Sequence, residues 1–219
     1  MKHHITHSRQ GWRQPFFILH FSFFIFLLAA CGGDEVPQPK PRAYLRIDMP
    51  EHNYIAVDSL RLPDSLGGKT LALPYCFEMN TRAQISQASQ NRQRTGLIIN
   101  YPEWKGDVEM VCTHIDGSDD LDELMTIVHR NLEREHQKAS GDDDVFAIDV
   151  PENNVHATIW QVNGRDVACT YLFTVTDSTD HFLFGNVIIN QVPNNDSLAP
   201  MLEYMRADVD HLIGTLHWR

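Results

Sequence analysis

The longest apolar run of the chain, Phe16 to Ala30, ends at the tetrapeptide Leu28-Ala29-Ala30-Cys31. Upstream of the run lie Lys2, Arg9 and Arg13 and no acidic residue; downstream come Gly32, Gly33, Asp34 and Glu35. A basic start, an apolar run of about 7–15 residues and an exit of small residues are the parts of an export signal. A helix that crosses a bilayer needs about 20 apolar residues. This run has 15, with His20 and Ser22 inside it. The folded body is therefore expected to be built from the residues beyond Ala30.

The cysteine at the cut point narrows the reading. The pattern resembles the bacterial lipoprotein signal, in which cleavage falls between a small residue and the cysteine, here Ala30 and Cys31, and the cysteine becomes the lipidated first residue. A transmembrane anchor, or a plain secretory signal with a chance cysteine, are the other readings of the same residues. Each buried acyl CH₂ contributes about 0.8 kcal/mol, so two or more chains on Cys31 would hold the protein stably to a membrane. Residues 31–42 then read as a tether. Pro37, Pro39 and Pro41 alternate in it, which favours an extended spacer at about 3.1 Å per residue. Residues 43–219 make the body.

The first 30 residues hold three of the 18 basic residues and none of the 29 acidic ones. The remainder carries 15 against 29, a balance of −14. That argues against nucleic acid as a partner and against docking of the folded face on anionic lipid, since both need basic patches. The membrane partner is then reached through the lipid anchor alone. Three cysteines lie beyond Cys31: Cys76, Cys112 and Cys169. Three is odd, so at most one internal pair can form. All lie in apolar, strand-like runs, where cysteine acts as a small buried hydrophobe; whether any of them pair stays open.

Ala43–Asp48 alternates as a first strand, and a short extended piece comes next at Tyr54–Val57. Asp64–Gly68 reads as a turn. Thr70–Phe77 is β-prone, with Pro74 breaking it or placing it at an edge. Arg82–Ser89 is a further short strand. Gly96–Tyr101 and Val108–Ile115, joined across Pro102–Asp107, form a hairpin. Ser118 opens a helix whose Leu121, Leu124, Met125, Val128 and Leu132 share one face, with Gly141 as a stop. Val145–Val150, Val155–Val162, Asp166–Thr176 and His181–Asn190 form a meander. Asn163-Gly164 is a two-residue hairpin signal, and Val167, Cys169, Tyr171, Phe173 and Val175 are expected on one face. A last helix carries Leu198, Met201, Leu202, Met205, Val209, Leu212, Ile213 and Leu216 as an apolar stripe, with Pro200 in its first turn. The architecture expected is α+β in a single domain: a mostly antiparallel sheet packed by two amphipathic helices, similar to the PsbP/Mog1 sandwich.

Several stretches carry a family resemblance: Pro41–Asp48, Ile98–Pro102, Thr176–Leu183, Asn195–Pro200 and Asp210–Ile213 with Trp218. They resemble the gliding motility lipoprotein GldD family of the Bacteroidota, and Cys31-Gly32-Gly33-Asp34 fits its lipidation site. The resemblance implies a part in gliding and in type IX secretion from the cell envelope. It assigns no catalytic residue, so only Cys31 carries over.

The residues themselves offer little chemistry. His129, Glu133 and His136 can share a helix face, but no His-Glu-x-x-His pair stands there, and no metal or cofactor is expected. Asp177-Ser178-Thr179-Asp180-His181 holds the residue types of a hydrolase triad in the order of a turn, and a turn is the reading taken. Asp208, Asp210 and His211 read as the solvated face of the last helix. Trp104, on the Pro102–Asp107 loop, is either a protein contact or an inward-packing aromatic. The function expected is that of a non-enzymatic envelope component or assembly factor that meets other envelope proteins. It is expected at the outer membrane, because Gly32 lacks the acid associated with inner-membrane retention, and facing the periplasm, with Asp34 and Glu35 leaving surface display open. The alternative is an envelope hydrolase or small-ligand-binding lipoprotein.

Overall fold

A long strand with a proline in its middle, Thr70–Asn80, shows how this chain is assembled. In the computed structural model, which describes residues 49–61, 68, 70–116, 118–139, 143–164, 166–191 and 195–219, this strand (β2) lies between β1 (Tyr54–Arg61) and the two-residue β10 (His217–Trp218). Pairing with β1 jumps from Val57↔Phe77 to Ser59↔Ala72. Pro74 falls in that bulge, where a missing N–H costs no ladder bond. Its carbonyl accepts from the Arg219 amide. The expected break at Pro74 is thus a bulge, and the strand continues through it.

The larger sheet has seven strands: β3 (Gln84–Gln90), β4 (Arg94–Tyr101), β5 (Gly106–His114), β6 (Asp144–Val150), β7 (Val155–Gln161), β8 (Cys169–Thr176) and β9 (His181–Ile189). Their order is β3-β4-β5-β9-β8-β7-β6, antiparallel throughout. Among the described residues two α-helices complete the body, α1 (Ser118–His136) and α2 (Asn195–Gly214). Residues Leu45–Arg219 form one compact unit, and the α+β expectation holds. Among the described residues no helix is long and apolar enough to cross a membrane.

The sheet buries one face under α2 and, around β8 and β9, part of the other under α1. The main core joins Tyr75, Phe77, Leu97, Ile99, Phe173 and Leu183 to Leu198, Leu202, Met205, Val209, Leu212 and Ile213 of α2. The smaller one joins Val128 and Leu132 of α1 to Ile115, Val162, Val167, Cys169, Leu172 and Phe182. The apolar stripes of both helices face inward as expected. β8, covered on both sides, is buried from Cys169 through Val175, the expected pattern for a central strand under two layers.

Four local expectations need correction. Pro200 lies beyond the first turn of α2, which begins at Asn195. The last helix ends at Gly214, so Leu216 packs from the turn beyond it. The connection at Asn163-Gly164 is longer than two residues: Gln161 pairs with Tyr171, and Val162 N–H donates to Thr170. The extra chain carries Val167 into the smaller core. A bulge at Thr170 (Cys169↔Ile188, then Tyr171↔Val187) reverses the alternation. Val167 and Cys169 therefore face α1, while Tyr171, Phe173 and Val175 face α2. The expected first strand Ala43–Asp48, most of the turn at Asp64–Gly68, the Gly141 stop and Cys31 lie outside the described residues.

Candidate functional site

The expectation for Asp208 is overturned most clearly. A carboxylate in Arg206-Ala207-Asp208-Val209-Asp210-His211 is expected to face water; Asp208 is 4 % exposed. The reason lies in other strands. Tyr204, Asp208 and His211 are spaced four and three apart, so they share one flank of α2. That flank meets the start of β1, the end of β2 and the end of β4.

Four groups converge on the Asp208 carboxylate. Asn80 Nδ2 donates to Oδ1 and Oδ2 at 3.0 and 2.9 Å. Tyr101 donates to Oδ2 at 2.8 Å and Tyr54 to Oδ1 at 3.0 Å. His52 Nδ1 lies 2.6 Å from Oδ1. A carboxylate offers about four acceptor directions, and here they are taken by the protein itself. These donors offset the cost of burying the charge.

Rings enclose this centre. His52 stacks on Tyr204, with centroids 4.0 Å apart, and Tyr54 stacks on His211 at 3.6 Å. His211 Nε2 reaches Glu78 at 2.7 Å. The Tyr204 hydroxyl accepts from Asn80 and donates to the Glu51 carbonyl. Burial, and then the Asp208 charge, push the hydroxyls of Tyr54 and Tyr101 far above the ordinary phenol range. Burial also raises Tyr204. All three phenols therefore stay protonated at any physiological pH. His52, with a third of its side chain exposed, is the member nearest solvent.

Trp104 belongs to the same assembly. It is 8 % exposed, stacks on Tyr101 and meets Tyr204 edge-on at 4.6 Å. Of the two placements weighed for it, the structure shows the inward-packed one. Asp210 stays exposed while it accepts from the Tyr171 hydroxyl, and His211 departs from the solvated face to become half-buried.

The arrangement holds parts together more readily than it transforms a substrate. Its carboxylate is saturated by donors, and its phenols stay neutral. Among the described residues no serine hydroxyl is bonded to a histidine. No three His, Cys, Asp or Glu side chains converge as metal ligands there either. His129 and Glu133 are exposed on α1, and His136 pairs with Asp143. Cys76, Cys112 and Cys169 are free thiols. Burial pushes Cys112 and Cys169 up to about 12, so neither is a nucleophile near neutrality.

The Asp177–His181 stretch is a turn. Asp177 Oδ1 accepts from the amides of Thr179, Asp180 and His181, and Oδ2 takes His181 Nδ1 at 2.7 Å. Ser178 takes the left-handed conformation at φ 65°. The His181 ring stacks on Trp218, with centroids 5.0 Å apart, so this turn also clamps the chain end. Burial works to raise the Asp177 pKa, but the His181 and backbone hydrogen bonds outweigh it and hold the group at about 2. A carboxyl depressed in the folded state stabilises above its unfolded pKa and loses that contribution as pH falls through the folded one. The expected result is about 2 kcal/mol lost between pH 4 and pH 2. In Asp177→Asn this part of the acid transition should disappear, which urea titrations at stepped pH will measure. An unchanged acid limb in the variant would rule the linkage out.

The His52/Asp208 assembly escaped sequence reasoning because its members are separated by 107 to 156 positions. The one local signal was the 204/208/211 spacing of polar residues beside an apolar stripe. No curated protein and no solved structure matches the chain. The family model described as gliding motility lipoprotein GldD matches residues 34–218, a span that takes in both sheets, both helices and the whole Asp208 centre. By that match, the chain belongs to the gliding motility lipoprotein GldD family.

Proposed function

We propose that this protein is a non-enzymatic docking component or assembly factor of the gliding motility and type IX secretion machinery. In this reading Cys31 is the lipidated first residue, residues 31–42 are the tether and residues 43–219 the body. The body is held at the outer membrane and faces the periplasm, where other envelope proteins are its partners.

Family membership over residues 34–218 carries the reading. The candidate site supports it in kind, because its polar groups spend their hydrogen bonds on one another. The His52–Asp208 contact is the feature an envelope-hydrolase reading would use. A general base, however, needs a free acceptor within reach of the proton it takes, and Asp208 has its acceptor directions filled.

The test is a clean deletion complemented with wild type or with Cys31→Ala. Deletion should abolish spreading and type IX export, and wild type should restore both. Cys31→Ala should lose acyl labelling, leave the membrane fraction and fail to complement. Normal spreading and export in the deletion would overturn the role. Unchanged acyl labelling of Cys31→Ala would overturn the anchor.

A further inference from the structure

Among the described residues, the edge strands longer than two residues are β1, β3 and β6, and they are built differently. β1 carries a bulge between Val57 and Ser59, and β3 carries one between Ile85 and Gln87. β3 is also lined by Gln84, Ser86, Gln87, Ser89 and Gln90. Bulges and polar side chains are the usual protection of an edge against further pairing. β6 has neither. Its pairing with β7 runs without a shift from Asp144↔Gln161 to Val150↔Val155, and it contains no proline or lysine. Val145 is 59 % exposed and Phe146 49 %.

A groove of about 460 Å³ runs beside this edge. Phe146, Ile148 and Ile159 form its apolar floor, and Glu203, Arg206 and Asp210 of α2 form its wall. Arg206 lies over the Tyr171 ring, and Asp210 holds the Tyr171 hydroxyl. Asp144 shares the face of Phe146 and Ile148, whereas Asp149 lies on the other face, where it pairs with His156. Glu203 and Asp210, with Asp144 on the Phe146 and Ile148 face of the strand, thus set three carboxylates against one arginine beside an edge that can accept a strand. A second copy of this acidic chain would bring like charge to like charge.

We propose that the β6 edge and its groove dock an extended, basic segment of a partner protein, added as an eighth strand to the larger sheet. Main-chain bonds to β6 would supply affinity, and alternate side chains would supply specificity. Lysines or arginines at every second position lay their aliphatic stems on Phe146 and Ile148 and bring their charges to Glu203, Asp210 and Asp144. Apolar residues between them cover Val145 on the other face, where its neighbour Trp160 already packs. This deepens the docking role above and is tested separately from it.

The probe is p-benzoylphenylalanine in place of Phe146 in the full chain, irradiated in living cells, with the same residue at Ser86 on β3 as control. The cross-linked partner peptide is sequenced by mass spectrometry. The expected peptide comes from another protein, with Lys or Arg at alternating positions. Its yield should fall at least tenfold when Asp144→Lys and Glu203→Lys are combined, and the Ser86 probe should give none of it. Cross-linking to a second copy of this chain overturns the proposal. So does a peptide without alternating basic residues, a yield that the charge reversals leave unchanged, or no cross-link at Phe146. The deletion phenotype is read independently of all four.

Discussion

Asp208→Ala is expected to destabilise the fold by about 3–5 kcal/mol, the range for breaking a buried charged centre by removing one partner. The loss is not one hydrogen bond. Asn80, Tyr101, Tyr54 and His52 all aim donors at the same two oxygens, and alanine leaves them facing a void from which water is largely excluded. Each unsatisfied buried donor costs about 1–3 kcal/mol unless the site relaxes. In a body of this size 1 kcal/mol moves Tm by about 2–4 °C, so thermal unfolding should begin roughly 10 °C lower. Tyr54→Phe removes one donor and leaves the carboxylate served by the rest, and should cost about 1 kcal/mol. Circular dichroism melts of the two variants decide the matter. An Asp208→Ala protein melting within about 2 °C of wild type would show that the centre does not hold the body together.

The second large effect is expected at Gly185→Val. Gly185 sits opposite Phe173 on the neighbouring strand. A Cβ there would stand 2.3 Å from Phe173 Cζ and 2.8 Å from both Cε atoms, far inside contact distance. Phe173 has no exposed surface and packs with Ile159, Leu183 and the α2 face, so the ring has nowhere to turn. Overpacking of this kind costs about 1–3 kcal/mol, and the enclosed ring places valine at the upper end. The coupling is checkable by a double-mutant cycle. In a Phe173→Leu background the smaller side chain opens the space, and the added cost of Gly185→Val should fall by more than half. Equal costs in both backgrounds would refute the steric account.

These two sites mark where sequence reading stops. The α1 and α2 stripes were legible because helical periodicity is local, and each apolar residue declares its own face. The β4–β5 hairpin was legible because two β-prone runs flank a short loop with proline and glycine. Asp208 was misplaced for the complementary reason. Its neighbours in sequence are those of a surface helix, and the groups that make its burial tolerable lie far away, on three strands and the segment just before β1. The β8 face was misassigned because a bulge at Thr170 adds one residue, and a single extra residue inverts every side chain on one side of it. Nothing in Ala168-Cys169-Thr170-Tyr171 announces that bulge; it arises from how β9 pairs alongside. Pro74 announced its own irregularity, but not that the strand would run on through it.

The order of this centre along the chain also has a kinetic meaning, because Asp208 follows its partners by 107 to 156 positions. Synthesis delivers the imidazole, amide and phenols of residues 52 to 101 first, and the acceptor that unites them more than a hundred residues later. Until α2 emerges, the early strands have the donors of a centre without its anion. Long-separated pairings slow the search for the native state, and every contact that unites this centre is of that kind. The strands that carry the donors gain the stability of the centre only when α2 packs on them.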